Sequence, residues 1–464
     1  MGGVERNRLM SESVSFKPAH VVAIIGAATS GSEIARILAE RGVIVIVFEQ
    51  NPRPYGKIED GLPRWHVKQR RDEYEKINER LDHPKIHYVP LTRMGRDIDF
   101  GELRETWGLS AVVLTNGAWR DRPFPVEGAE QFVDRGLVYQ NPLIYWFNHY
   151  PEATYNGPRY DLSAGTIVVG GGLASIDVVK LLQIEMTLKV LKQRGIEEDM
   201  LKLEREGIEP VLKNHNLAWA DLGVAPCRFF YRRRVLDMPL SDIAPDATPK
   251  RAEAMRQARA KILDKAQRKF LFEFQELSVP TGLVVEGDRI SGVIMSRTEA
   301  ADGKVRTIPD SGQPVRAPMT ISSIGSIPEP IPGIPQRGEV YEYVDAKVGL
   351  LMEGPTGIYA AGNVLTGKGN IKDSLVSGTE IGTHVAERYL GLANDGNGAP
   401  FTDAKREEAH MEGLRMAVSI NSREPVPGAK VAEIMARVRK RQGEVGYAGN
   451  YRGWIKKVTP ADLQ

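Results

Sequence analysis

Cysteine is almost missing from this chain: Cys227 is the only one in 464 residues. A single thiol excludes an intramolecular disulfide framework, a cysteine-based zinc or iron–sulfur site, and a dithiol shuttle within one chain. A surplus of one charge is missing as well. Against 62 Lys+Arg stand 60 Asp+Glu, a formal net charge of +2, which argues against binding nucleic acid through bulk charge. No stretch approaches the ~18 apolar residues that span a bilayer. Residues 1–20 hold no apolar core of signal-peptide length, and Arg6 stands where a myristoylation pattern needs Ser or Thr. These absences lead us to expect a cytoplasmic protein with no membrane, nucleic-acid or metal partner.

Glycine is what the chain has in plenty, 46 residues, and it clusters at a few turns. Val21–Ile25 is a continuous apolar run of the kind buried in a parallel sheet. It leads into Gly26-Ala27-Ala28-Thr29-Ser30-Gly31, a helix-like stretch, and a second apolar run, Val43–Phe48, that ends at Glu49. Strand, glycine turn, helix and strand make one βαβ unit. In a dinucleotide-binding turn the first glycine allows the tight bend, the second position lets the backbone approach a pyrophosphate, and the third lets helix and strand pack closely. Here Gly26, Ala28 and Gly31 take those places, and the helix start at Ser30 faces the phosphates. Glu49 can accept hydrogen bonds from a ribose and repels a 2′-phosphate, so this turn suits FAD or NAD.

The grammar recurs at Thr166–Val169, followed by Gly170-Gly171-Gly172-Leu173-Ala174 and a helix to about Val190. Ser175 replaces the third glycine, which is expected to widen the helix–strand contact. No carboxylate follows this turn. Instead Phe229-Phe230 leads into Tyr231-Arg232-Arg233-Arg234, and guanidinium groups suit a 2′-phosphate. The second site therefore reads as one for NADPH. A third glycine-rich stretch runs from Gly357 through Gly362-Asn363 to Gly369-Asn370-Ile371, and its backbone can reach a bound cofactor. The fold class is α/β, with two Rossmann-like domains and the second inserted in a split first one. Boundaries fall at 1–18 (a mobile tail), 19–117, 118–328, 329–393, and 394–464 (a linker at Asn394–Pro400 and a C-terminal segment). Residues 176–223 read as a helical excursion on the surface. The basic run 64–71 would place Arg64, Lys68 and Arg71 on one helical face, open to an acidic partner. Arg437–Arg441 reads as a plain surface helix, and His66 is the one histidine whose neighbours point to a role.

These residues resemble the adrenodoxin-reductase-type NADPH–ferredoxin reductases over about 20–390, and more distantly the small subunit of glutamate synthase. The turn at 26–31 with Glu49, the loop Tyr55-Gly56-Lys57-Ile58 to His66, the strand into Asn116-Gly117-Ala118, GGGLASIDVV at 170–179, YRRRVLDMP at 231–239 and GIYAAGN at 357–363 carry the likeness. Asn363 stands where that family often has tryptophan. The resemblance implies FAD and NADPH as cofactors and a ferredoxin-like iron–sulfur protein as partner, reached through electron transfer from the flavin. It implies roles near the flavin for Lys57, Ile58, His66 and Asp177, the last two as a pair linking the domains. The NADPH-oxidising subunit of a larger complex and a redox-inactive nucleotide-binding module remain as alternatives.

Overall fold

The computed structural model of the chain describes residues 16–244, 246–301, 304–392 and 423–460. Two compact units divide them. One, the split unit, takes the described residues up to Ile58, then Arg71–Ala118, then those from Pro328 onward; the other, the inserted unit, takes Glu59–Arg70 and Trp119–Ile327. The segment Glu59–Arg70, read from sequence as part of the first domain, thus packs with the inserted unit.

The split unit is built on a six-stranded sheet in the order Leu350–Met352, Gly357–Ala360, Ala111–Leu114, Val21–Ile25, Ile44–Phe48 and Ile86–Val89. Its pairs are parallel except for the first. The apolar runs are continuous because both faces are covered. Ile24, Val45 and Val113 belong to the core on one face, while Ala23, Ile46 and Val112 belong to that on the other. Helix Thr29–Glu40 covers the first face and packs along helix Ile371–Thr383.

The inserted unit holds a five-stranded parallel sheet, in the order Leu137–Tyr139, Thr320–Ser323, Ile167–Gly170, Arg228–Phe230 and Glu273–Gln275. An antiparallel sheet formed around Arg289–Ala301 accompanies it. Where the chain enters and leaves this unit, Arg120–Asp121 pairs antiparallel with Ser326–Ile327.

Two sequence expectations change here. The 176–223 stretch is no surface excursion. Helix Leu173–Gln193 buries apolar residues around much of its circumference, and helices Met200–Glu206 and Ile208–Lys213 supply the cover. Ile184, Leu191, Leu203, Ile208, Val211 and Leu212 all lie in the core as a result. The expected tail 1–18 falls mostly outside the described residues, yet Phe16 already packs against the core of the split unit. Asn394–Pro400 also lies outside them.

The C-terminal segment is part of the split unit's core. Helices Gly428–Glu444 and Tyr451–Val458 brace the loops that follow its strands. Gln442 donates to the Tyr88 carbonyl at 2.8 Å, Arg441 to that of Leu91 at 2.8 Å, and Trp454 Nε1 to that of Pro52 at 2.8 Å. Arg441 is therefore a brace and not a plain surface charge. Replacing a buried tryptophan by alanine costs roughly 3–5 kcal/mol, so Trp454→Ala should lower the urea midpoint accordingly; a loss below about 1 kcal/mol would show that the last helix is dispensable.

Candidate functional site

In the split unit the first glycine turn is fixed by backbone contact. Gly26 has φ +101°, and a Cβ there would stand 2.7 Å from the Thr115 carbonyl oxygen. A Cβ at position 31 would stand 2.0 Å from the Gly26 carbonyl oxygen. Only hydrogen fits at these two places. Thr115 Oγ1 donates to that same carbonyl at 2.6 Å. Ala28 is the residue that caps helix Thr29–Glu40, in extended conformation and without a side-chain bond of its own. The first helical N–H groups thus open at the carboxyl end of the sheet, the usual place for a ligand in such folds.

Glu49 ends the next strand and is buried. Its Oε2 accepts from the Ala27 N–H at 3.0 Å and its Oε1 from that of Asn51 at 2.9 Å. The two backbone bonds orient the carboxylate at the end of the strand. The third glycine stretch meets the first at Ser30. A Cβ on Gly362 (φ +72°) would lie 2.3 Å from Ser30 Oγ, and one on Gly378 would lie 2.9 Å from Ser30 Cα. Asn363 opens a short helical turn after Gly362, and Gly369 lies beside it. Asn370 caps helix Ile371–Thr383, accepting from the Asp373 N–H at 2.7 Å. Gly26, Ala28, Ser30, Gly31, Gly362, Asn363, Gly369, Asn370 and Ile371 thus gather at one end of one sheet. Lys57 and Ile58 start the short helix Lys57–Asp60, with Ile58 buried in the core.

In the inserted unit Gly170 ends its strand under Ser175. That serine does not widen the contact as expected; it staples it. Ser175 Oγ accepts from the Gly171 N–H at 3.0 Å and from Ser323 Oγ at 2.8 Å, and donates to the Ser323 carbonyl at 3.0 Å. Gly172 faces open space, with nothing within 4 Å of where its Cβ would be. Leu173 and Ala174 begin the helix, and Leu173 is 54% exposed beside the turn. Strand Arg228–Phe230 lies directly next to Ile167–Gly170, so Arg232 and Arg233 emerge alongside the glycines. Neither makes an ion pair among the described residues, whereas Arg234 is held by Asp237 at 3.1 Å. Cys227 is buried in this unit, and burial pushes its thiol up, away from reactivity.

His66 and Asp177 also lie in the inserted unit, but they form no hydrogen bond. Nε2 of His66 stands 3.9 Å from Asp177 Oδ1, which takes Lys180 Nζ at 3.3 Å instead. Lys180 sits one helical turn on from Asp177 and is buried over the Trp65 ring, so it competes for the carboxylate. The expected basic face also dissolves. The helix begins at Val67, so Arg64 precedes it. Arg64 is inserted between the rings of Phe147 and Tyr150, 4.6 Å from each centroid, and donates to Tyr150 Oη at 2.9 Å. Lys68 and Arg71 alone are exposed.

Sequence reasoning missed two features. His149 is buried between Asp60 and Glu152; Glu152, three residues on, was visible in the sequence, but Asp60, 89 positions away, was not. Helix Pro249–Phe270 carries eight Lys/Arg against two acidic residues, a bias that a count along the chain could have found.

No protein-family model matches the chain. In sequence it is 22% identical over 398 residues to the mitochondrial NADPH:adrenodoxin oxidoreductase of Arabidopsis thaliana, covering 75% of this chain and 80% of that one. The chain resembles the adrenodoxin-reductase type. It is also 30% identical over 161 residues to the small chain of the NADPH glutamate synthase of Bacillus subtilis, 34% of this chain and 31% of that protein. The structure of Mycobacterium tuberculosis FprA in complex with NADPH superposes with a TM-score of 0.61 at 18% identity, over 90% of this chain and 99% of that one. The chain thus shares the fold of that structure. Among the described residues no helix is long and apolar enough to cross a membrane.

The two glycines of the second turn should part company on substitution. Gly170→Ala drives a methyl into Ser175 and the Ser323 carbonyl and should cost roughly 1–3 kcal/mol by overpacking, while Gly172→Ala should leave the melting temperature of the purified protein unchanged. Equal losses would mean that the open face at Gly172 is closed in solution.

Proposed function

We propose that the split unit holds FAD, that the inserted unit holds NADPH, and that the protein is a cytoplasmic NADPH-dependent oxidoreductase of the ferredoxin–NADP reductase type. Its electrons pass to a ferredoxin-like iron–sulfur protein. The observation that carries this reading is a pair of glycine turns on two parallel sheets with opposite charges beside them: Glu49 at the first, Arg232 and Arg233 at the second. A buried carboxylate accepts from ribose hydroxyls and repels a 2′-phosphate; unpaired guanidinium groups attract one.

The residues fit both nucleotides. At Gly26–Gly31 and at Gly170–Gly172 small residues line the turn, with only a methyl at Ala28, and the helices starting at Thr29 and Leu173 offer free N–H groups. Bound FAD supplies the hydride-accepting chemistry, and the protein supplies position and electrostatics. On this reading Glu49 orients the adenosine ribose, the helix start at Asn370-Ile371 donates to the flavin edge, and Leu173 and Ala174 lie along the NADPH pyrophosphate. His66 and Asp177 serve as polar groups near the nicotinamide, with Asp177 held by Lys180. The likeness to the Arabidopsis oxidoreductase supports the assignment. A subunit role in a larger complex has one specific support, the local likeness to the glutamate synthase small chain, and a single co-purifying large partner would favour it.

For the acidic carrier we place docking on helix Pro249–Phe270. Lys250, Arg251, Lys261 and Lys265 are exposed there and make no ion pair among the described residues. Lys261, Lys265 and Arg268 share one helical face.

Anaerobic mixing tests the core of the proposal. NADPH should bleach the oxidised flavin band faster than NADH does; a colourless protein, or a band that neither nucleotide touches, would turn the reading to a redox-inactive binding module. Arg232→Ala with Arg233→Ala should weaken NADPH by roughly 10- to 100-fold, as expected for lost charge-assisted bonds, and leave NADH nearly unchanged. Equal losses would remove these arginines from the 2′-phosphate. Lys261→Glu with Lys265→Glu should raise the KM for an acidic ferredoxin about tenfold at low salt and spare reduction of a small dye. If carrier and dye rates fall together, the helix is structural.

A further inference from the structure

The segment that carries His66 is tied down by three consecutive residues. Helix Gln140–His149 ends in Asn148 and His149, and Tyr150 follows. Asn148 Nδ2 donates to the carbonyls of Glu59 at 2.7 Å and Leu62 at 3.0 Å. His149 Nε2 lies 2.9 Å from Asp60 Oδ1. Tyr150 Oη accepts from Arg64 at 2.9 Å. The other nitrogen of His149, Nδ1, lies 2.8 Å from Glu152 Oε1.

Ionised carboxylates only accept hydrogen bonds, and a neutral imidazole has a single N–H. Both bonds of His149 therefore need a ring with two protons. Removing one sets lone pair against lone pair inside a pocket where His149 is only 6% exposed. The surroundings favour the cation. Asp60 faces the ring from the short helix Lys57–Asp60, Glu152 from the turn beyond the 140–149 helix, and Tyr145 from the preceding helical turn, with its ring centroid 4.5 Å away. Glu59 belongs to the same acidic group around Tyr145. The ring also sits at the negative end of the 140–149 helix.

The rest of this contact is poorly matched. Arg64 Nε, Trp65 Nε1, Asn148 Oδ1 and Glu185 Oε1 are buried with no hydrogen-bond partner among the described residues. Buried polar atoms left unmet weaken the hold on the segment, so the bonds of His149 count among those that keep it in place.

We infer that His149 is a positioning residue: as imidazolium it fastens segment 59–66, and with it His66, to the inserted unit, and loss of one proton at alkaline pH frees the segment. Burial by itself would lower the affinity of His149 for its proton, but the bonds to Asp60 and Glu152 outweigh it and raise the pKa to about 9. The tie is therefore intact through neutral pH and is lost as the pH rises through that value. The effect on NADPH oxidation rests on the function proposed above; the tie itself does not.

Amide hydrogen exchange of the full chain, corrected for the intrinsic effect of pH, tests it. Protection of peptides within 59–66 should fall at least about tenfold between about pH 7 and pH 10, while peptides over Ile167–Gly170 keep theirs. Glu152→Gln is the decisive variant, because a glutamine amide can donate to Nδ1 of a neutral ring whose Nε2–H still serves Asp60. This variant should keep the segment protected at both pH values. His149→Gln should leave it weakly protected at both. Wild-type protection that survives at high pH, or a Glu152→Gln protein that loses it as the wild type does, overturns the inference. If exchange behaves as expected but the alkaline limb of the NADPH oxidation profile is the same in wild type and Glu152→Gln, the tie stands and its role in positioning His66 for the reaction is overturned.

Discussion

The contact on which the split unit depends is one of backbone against backbone. The carbonyl of Gly26 occupies the space where a side chain at position 31 would begin, and the Thr115 carbonyl does the same for position 26. Helix Thr29–Glu40 can therefore start almost on top of its strand. That start fixes Ser30, and Ser30 in turn receives Gly362 and Gly378 from the far end of the unit. The first and third glycine stretches meet because no side chain intervenes. A methyl group on Gly362 or Gly378 would push apart elements from both sides of the insertion.

The inserted unit reaches the same end by different chemistry. Its turn is closed by a hydroxyl seated over a bare glycine. Ser175 fills the space above Gly170 and uses its donor and both acceptor sites to join the turn to strand Thr320–Ser323. The two turns then differ in what flanks them. Glu49 is oriented by two backbone amides, while Arg232 and Arg233 make no ion pair among the described residues. One fold, used twice, thus presents charges of opposite sign at the end of a single neighbouring strand.

Much of this was legible in the sequence, and the division follows a physical line. Continuous apolar runs, glycine turns and the charges that follow them are local patterns, and they marked both parallel sheets and both turns. Long-range competition was not legible. The run 64–71 has helical spacing, but Pro63 precedes it and the helix waits until Val67, which frees Arg64 to lie between two aromatic rings contributed by another helix. Asp177 has the right place for His66 but a lysine one turn away claims it. The charged look of 176–223 concealed a helix buried on several sides, because polar residues run through that helix and Lys180 and Gln183 are themselves buried, held by Glu204 and the Leu271 carbonyl. His149 gave no local sign of its distant partner Asp60.

The pairing of Ala111–Leu114 with Gly357–Ala360 has a consequence for how the molecule comes into being. These strands are neighbours in one sheet, yet the second follows the first by roughly 250 residues, which at about 5–20 residues per second takes tens of seconds to synthesise. For that time the strand Ala111–Leu114 has one edge with no neighbour to close it, since Val21–Ile25 covers only the other. The inserted unit has all five strands of its parallel sheet within Leu137–Ser323 and can finish first. A nascent chain of this design carries an open sheet edge, a template for pairing with another chain, until that strand arrives.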